Sequence, residues 1–209
     1  MPVHTIFRVL ATAAACLLSL SAGPCAAADK PINIVALGDS LTAGYGLPAR
    51  DAFPAKLQRA LAAKGLAVAI SNAGVSGDTM SGGLARLDWS VAAGTEAVIL
   101  ELGANDALRG LDPAVTRRAL DAMLAALARR NIPVLLCGML APRNLGADYA
   151  RAFDPMYPEL AKTYGALLYP FFLDGVAADA KLNRRTLPSM KAISCAITSS
   201  MSPMKRSVR

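Results

Sequence analysis

Along the chain, short unbroken apolar runs alternate with longer amphipathic stretches. The runs are "INIVAL" (32–37), "AVAIS" (67–71), "AVILEL" (97–102), "IPVLLC" (132–137) and "ALLYPF" (166–171). They are continuous rather than alternating, as strands covered on both faces are. Between them, "FPAKLQRALAAKG" puts Pro54 in a first helical turn and Gly65 at the end. "DPAVTRRALDAMLAALARRN" opens with an Asp cap and Pro113 and closes on basic residues, which suits the helix dipole. Strand and helix in regular alternation predict an α/β chain with a parallel sheet and helices on both faces. No internal repeat is visible.

In such sheets ligands bind at the carboxyl ends of the strands. The polar clusters fall there. "GDS", with Ser40, follows the first run, residues 72–78 follow the second, and residues 103–106 follow the third. Each cluster has a chemical and a plain reading. Ser40 at a tight strand-to-helix turn is placed as a nucleophile is, but Asp39 or Ser40 also suits a helix cap. "NAGVSGDT" exposes backbone N–H groups around Gly77 that could stabilise an oxyanion or cradle a phosphate, and it also reads as a turn with Asp78 as cap. Asn105 in "ELGANDALRG" is either a side-chain donor to an oxyanion or an Asx-turn. Three such loops at one edge make a site the expected outcome.

Composition changes this picture only at the chain's two ends. At 54% hydrophobic and 18% charged, the 209 residues suit one domain with a buried core rather than a disordered chain. Residues 1–28 combine Arg8, the apolar run "VLATAAACLLSLSA" and small residues at 26–28, the form of a secretory signal peptide cleaved near Ala28. The run is too short to span about 30 Å of hydrocarbon. A periplasmic or secreted protein without stable membrane insertion is expected. Cleavage removes Cys16 and Cys25 and leaves Cys137 and Cys195, with no metal-ligand spacing, so neither a structural disulfide nor a metal is expected. Basic and acidic residues balance at 15 each between 29 and 183, whereas residues 184–209 hold six basic residues and no acid. The positive charge therefore belongs to a tail. No aromatic residue is interleaved there to stack on bases, and nucleic acid is not an expected partner.

The segments "VALGDSLTAGYGL", "SNAGVSGDTMSGGLARL" and "VILELGANDALRG" resemble the first three sequence blocks of the GDSL or SGNH hydrolases. They are most similar to the bacterial periplasmic thioesterase/lysophospholipase/arylesterase branch, and the resemblance runs from about residue 32 to 183. It implies a flavodoxin-like three-layer α/β/α sandwich with a five-stranded parallel sheet, the SGNH hydrolase fold. It also implies that Ser40 attacks the carbonyl of a small acyl ester or thioester. The oxyanion would be held by the backbone N–H of Ser40, the backbone N–H of Gly77 and the side chain of Asn105. No metal and no cofactor are implied.

The pattern breaks at the other end. A serine hydroxyl needs a base, and the family takes it from a D-x-x-H-P block near the C-terminus. The only histidine is His4, inside the predicted leader. Asp174 precedes the place for that block and reads as a strand-end residue. After Asn183 stands "RRTLPSMKAISCAITSSMSPMKRSVR", without acid, histidine or glycine. A frameshift near Asn183 is the expectation, because Arg185-Thr186-Leu187 encoded CGC-ACC-CTN reads His-Pro in a shifted frame. The domains are then a leader (1–28), a truncated hydrolase domain lacking its last helix (29–183) and an aberrant basic tail (184–209). Lost with that helix would be the cover of one sheet face, leaving an apolar patch.

Two functions of different class follow. One is a serine esterase of broad acyl specificity, impaired here by the missing Asp-His pair, with residues 145–157 and "DGVAAD" (174–179) helping to shape the acyl pocket. The other is a non-catalytic protein binding acyl or carboxylate ligands. A phosphate- or nucleotide-binding domain has less support, since no G-x-x-x-x-G-K-[ST] or G-x-G-x-x-G stands at a strand end.

Overall fold

The computed structural model describes residues 30–177. The expected leader and its cleavage, the basic tail, the frameshift and the loss of a last helix lie outside the described residues. Five parallel strands, β1 (Ile32–Gly38), β2 (Val68–Gly74), β3 (Ala97–Glu101), β4 (Val134–Cys137) and β5 (Leu167–Tyr169), form one sheet in the order β2-β1-β3-β4-β5. Parallel neighbours need crossovers rather than hairpins. α1 (Ser40–Ala43) and α2 (Phe53–Ala62) lead to β2, and α3 (Met80–Ala85) and α4 (Leu87–Ser90) lead to β3. α5 (Ala104–Leu108) and α6 (Pro113–Arg129) precede β4, and α7 (Gly146–Phe153) and α8 (Met156–Tyr164) precede β5.

From β1 to β2 the chain steps one way across the sheet, and every later step runs the other way. With right-handed crossovers, that reversal puts α2 on one face and the later helices on the opposite one. The result is the expected three-layer α/β/α sandwich in flavodoxin-like strand order. Ligands in such folds sit where the strand order reverses, here between the carboxyl ends of β1 and β3.

Local sequence explains the helices that frame this crevice. Asp112 caps α6 by accepting a hydrogen bond from the Ala114 N–H at 2.8 Å, and Pro113 opens its first turn. The apolar stripe of α6, with Leu120, Met123, Leu124 and Leu127, is buried. α2 buries Phe53 and Leu57, and the Phe53 ring meets Phe172 edge-on at 5.2 Å. Burying side chains of this size stabilises by roughly 1.5–3 kcal/mol each. In the strands, Leu37, Leu100 and Leu136 are likewise buried.

Strand ends differ from the sequence expectation for identifiable reasons. β2 runs on to Gly74 through Ser71 and Asn72, both exposed, because register with β1 continues to the Gly38–Gly74 pair. It is an edge strand, and polar residues there face solvent, so apolar run length underestimates it. β4 begins at Val134, after Pro133, and β5 stops at Tyr169, before Pro170, since proline offers no N–H to a ladder.

Candidate active site

β1 delivers the first loop. Asp39 caps the single-turn helix α1, its Oδ1 accepting from the Leu41 N–H at 2.9 Å. Ser40 is the first residue of that helix and is half-buried. The capping role therefore belongs to Asp39, and the Ser40 hydroxyl is not used for it.

β2 delivers the second loop. The Val75 N–H donates to the Gly38 carbonyl at 2.9 Å, closing this loop against the end of β1. Gly77 has φ +82°, a left-handed conformation that L side chains rarely adopt. The sequence reading of Asp78 as a helix cap is corrected here. Thr79 caps α3, its hydroxyl accepting from the Gly82 N–H at 3.2 Å, whereas the Asp78 carboxylate pairs with Arg86 at 2.6 Å.

β3 delivers the third loop. Gly103 sits at φ +108°, where a methyl group would also run into the Tyr157 hydroxyl. That hydroxyl is buried and donates to the Leu102 carbonyl at 2.9 Å. Asn105 follows in α5. Its Nδ2 donates to Asp39 Oδ2 at 2.9 Å and to the Asp78 carbonyl, also at 2.9 Å. One amide thus touches the residue after Gly77 and the residue before Ser40. The structure brings the loops of all three predicted site residues to one point, and the Asn105 side chain joins them rather than closing an Asx-turn of its own.

A carboxyl pair underlies the first loop. Glu101, at the end of β3, is wholly buried, and its Oε2 accepts from the Asp39 N–H at 3.3 Å and from the Thr42 hydroxyl at 2.7 Å. Its Oε1 has no hydrogen-bond partner among the described residues. Burial, reinforced by the charge of Asp39, pushes Glu101 well above the usual carboxylate range. Burial also raises Asp39, to about 6, against the opposing hydrogen bond from Leu41. Of the pair, the more deeply buried Glu101 is the one driven harder toward its neutral form.

Around this centre, buried Asp106 accepts from the Met80 N–H at 2.9 Å and the Thr116 hydroxyl at 3.0 Å, tying α3 and α6 to the third loop. The Arg109 guanidinium donates to the Gly77 carbonyl at 2.7 Å. Cys137 is buried across the ladder from Glu101, and burial raises its thiol well above the ordinary range. It behaves as a small hydrophobe, as its place in an apolar run predicts. Asp174 lies exposed in the turn after β5, its N–H donating to the Phe171 carbonyl. Within residues 145–157, Phe153, Met156 and Tyr157 are core residues, the Phe153 and Tyr157 rings 5.9 Å apart, whereas 146–148, 151 and 152 are exposed.

Glu101, Thr42, Tyr157 and Arg86 are supporting residues that the sequence reading passed over. Glu101 had a signal, as the one charged residue inside "AVILEL". A carboxyl in a strand buried on both faces demands partners. The other three carry no local mark, since their partners are 55, 59 and up to 48 residues away.

A family model described as the GDSL-like lipase/acylhydrolase family matches residues 36–189. The chain is 39% identical over 152 residues to an arylesterase of Vibrio mimicus, covering 72% of this chain and 76% of that protein. It is 40% identical over 152 residues to thioesterase 1/protease 1/lysophospholipase L1 of Escherichia coli K12, covering 72% and 70%. Among solved structures, AlinE4, an esterase of the SGNH-hydrolase family, superimposes with a TM-score of 0.72 at 44% identity, covering 83% of this chain and 96% of that one.

Proposed function

The chain belongs to the GDSL-like lipase/acylhydrolase family, the SGNH carboxylic ester hydrolases, and within that family we propose that Ser40 attacks the acyl carbonyl of small esters and thioesters. The observation that carries this reading is the Asn105 amide, which spans the Ser40 and Gly77 loops. As the Ser40 oxygen bonds to the carbonyl carbon, charge collects on the carbonyl oxygen. The N–H groups of Ser40 and Gly77 and the Asn105 amide receive it. A donor of this kind is worth up to about 4 kcal/mol of barrier. Both hydrogens of the Asn105 amide are engaged in the structure, so the oxyanion shares one of them with its present acceptor.

The Ser40 proton has no imidazole to go to and passes to water instead, since His4 is the only histidine and stands ahead of the proposed cleavage site near Ala28. Turnover by this chain is accordingly impaired. Where a triad member is lost, about 10³–10⁴-fold catalysis over water remains, from the oxyanion site and binding. The same histidine count favours a second reading, a non-catalytic binder of acyl or carboxylate ligands in the same cradle. The apolar leader supports export to the periplasm or beyond. Among the described residues no helix is long and apolar enough to cross a membrane.

The test is hydrolysis of p-nitrophenyl butyrate and of a short-chain acyl thioester by the full chain and by Ser40→Ala. Slow release that drops to background in Ser40→Ala is expected. Equal rates in two folded proteins would sink the enzyme reading. Saturable binding of octanoate, followed by calorimetry, would then support the binder.

A further inference from the structure

Arg86 lies where α3 passes into α4, and only 7% of it is exposed. Its guanidinium makes four hydrogen bonds. Nε donates to Asp78 Oδ2 at 2.6 Å, Nη2 to the Gly38 carbonyl at 2.9 Å, and Nη1 to the Ala73 carbonyl at 2.8 Å and the Ser90 hydroxyl at 3.1 Å. We propose that Arg86 is a positioning residue that holds the Ser40 and Gly77 backbone donors at a fixed separation. The inference rests on the oxyanion reading above and deepens it.

Three of the four acceptors flank those donors. Gly38 is two residues before Ser40, Ala73 is the next-to-last residue of β2 and four before Gly77, and Asp78 directly follows Gly77. The Gly38 carbonyl already receives the Val75 N–H, so Arg86 adds a second tie between the same two loops. Asp78 carries the effect one step further, because its carboxylate is held by Arg86 while its carbonyl receives the Asn105 amide. A single planar fork is therefore connected to all three oxyanion donors without touching the place where a substrate carbonyl would sit. Only arginine has this arrangement of donors. A lysine ammonium offers three from one point and cannot bridge carbonyls on two strands and a carboxylate together.

The experiment compares Arg86→Lys with Ser90→Ala, which removes the one acceptor remote from the donors. Backbone amide resonances of Ser40 and Gly77 and the side-chain amide of Asn105 are followed by ¹⁵N NMR, with kcat, KM and thermal midpoint measured alongside. Arg86→Lys is expected to move those three resonances and to lower kcat by about 10²-fold, the loss typical of a misplacement near 1 Å, with KM nearly unchanged. Ser90→Ala is expected to leave both readouts close to the parent. Should Arg86→Lys fail to fold, Asp78→Asn, which keeps the shape and removes the ion pair, is read in the same way. A folded variant with unmoved resonances and parental kcat overturns the proposal. If the parent shows no Ser40-dependent turnover, the esterase reading fails by itself, and the resonances still decide whether Arg86 sets the donor geometry.

Discussion

Exchanging Glu101 for glutamine tests whether a neutral acid underlies the Ser40 loop. The structure gives Glu101 two buried donors to satisfy, the Asp39 N–H and the Thr42 hydroxyl. At pH 4, where Glu101 is protonated in the folded protein and largely so in the unfolded one, Glu101→Gln replaces it by a neutral side chain of the same shape whose oxygen can accept both bonds. The expected change at pH 4 is below about 1 kcal/mol, within the range for an exchanged neutral hydrogen bond. Glu101→Leu instead leaves both buried donors without an acceptor, at about 1–3 kcal/mol each, and so is expected to lose roughly 2–6 kcal/mol. The pH dependence separates the two carboxyls. An acid whose folded pKa is raised stabilises fully below its unfolded pKa and loses that stability as pH rises through the folded value. Raising Asp39 from 3.8 to about 6 corresponds to a fall of at most about 3 kcal/mol between pH 4 and 6. Glu101, raised further by burial, extends the decline to higher pH. Urea unfolding at pH 4, 7 and 9 should show Glu101→Gln keeping the Asp39 part of the fall, matching the parent at pH 4 and exceeding it at pH 7 and 9, because only the parent's unfolded state loses a proton at position 101. If Glu101→Gln loses as much as Glu101→Leu at pH 7, the buried carboxyl is ionised and the assignment of charge within the pair is wrong.

Two further substitutions probe the frame of the site. Gly103→Ala forces an L side chain into φ +108° and drives a methyl against the Tyr157 hydroxyl. With strain of about 1–3 kcal/mol and the Tyr157–Leu102 hydrogen bond disturbed, a loss of roughly 2–5 kcal/mol is expected in chemical denaturation. A change under 1 kcal/mol would show that α8 yields easily at this point. Asp112→Ala removes the cap of α6 and should cost about 0.5–2 kcal/mol while leaving ester hydrolysis per folded molecule unchanged.

The parts of the fold that depend on short-range pattern were legible in the chain. The apolar runs located all five strands, and Asp112 with Pro113 marked the start of α6. The reach of β2 past Ser71, through Asn72 to Gly74, was not legible, because pairing with β1 extends it and side-chain polarity conceals it. In the site, Ser40, Gly77 and Asn105 stand in loops whose position at strand ends is itself a pattern. Asp78 misled, since an acid just before a helix is usually a cap, and only the fold shows a guanidinium eight residues on competing for its carboxylate. Arg86 and Tyr157 act on backbone carbonyls of distant loops, and a carbonyl leaves no trace in residue identity.

The strand order has an evolutionary consequence. The proposed chemical groups hang from β2, β1 and β3, three neighbours at one side of the sheet. The segments directly following β4 and β5 bond instead to each other, Gly138 giving its N–H to the Tyr169 carbonyl and taking that of Phe172. Insertions or exchanges in the largely exposed stretch 146–152 after β4, short of Tyr157 and its bond to Leu102, can therefore accumulate without disturbing the distances among Ser40, Gly77 and Asn105. A lineage built on this frame can vary that surface stretch while the three loops at the ends of β2, β1 and β3 stay as they are.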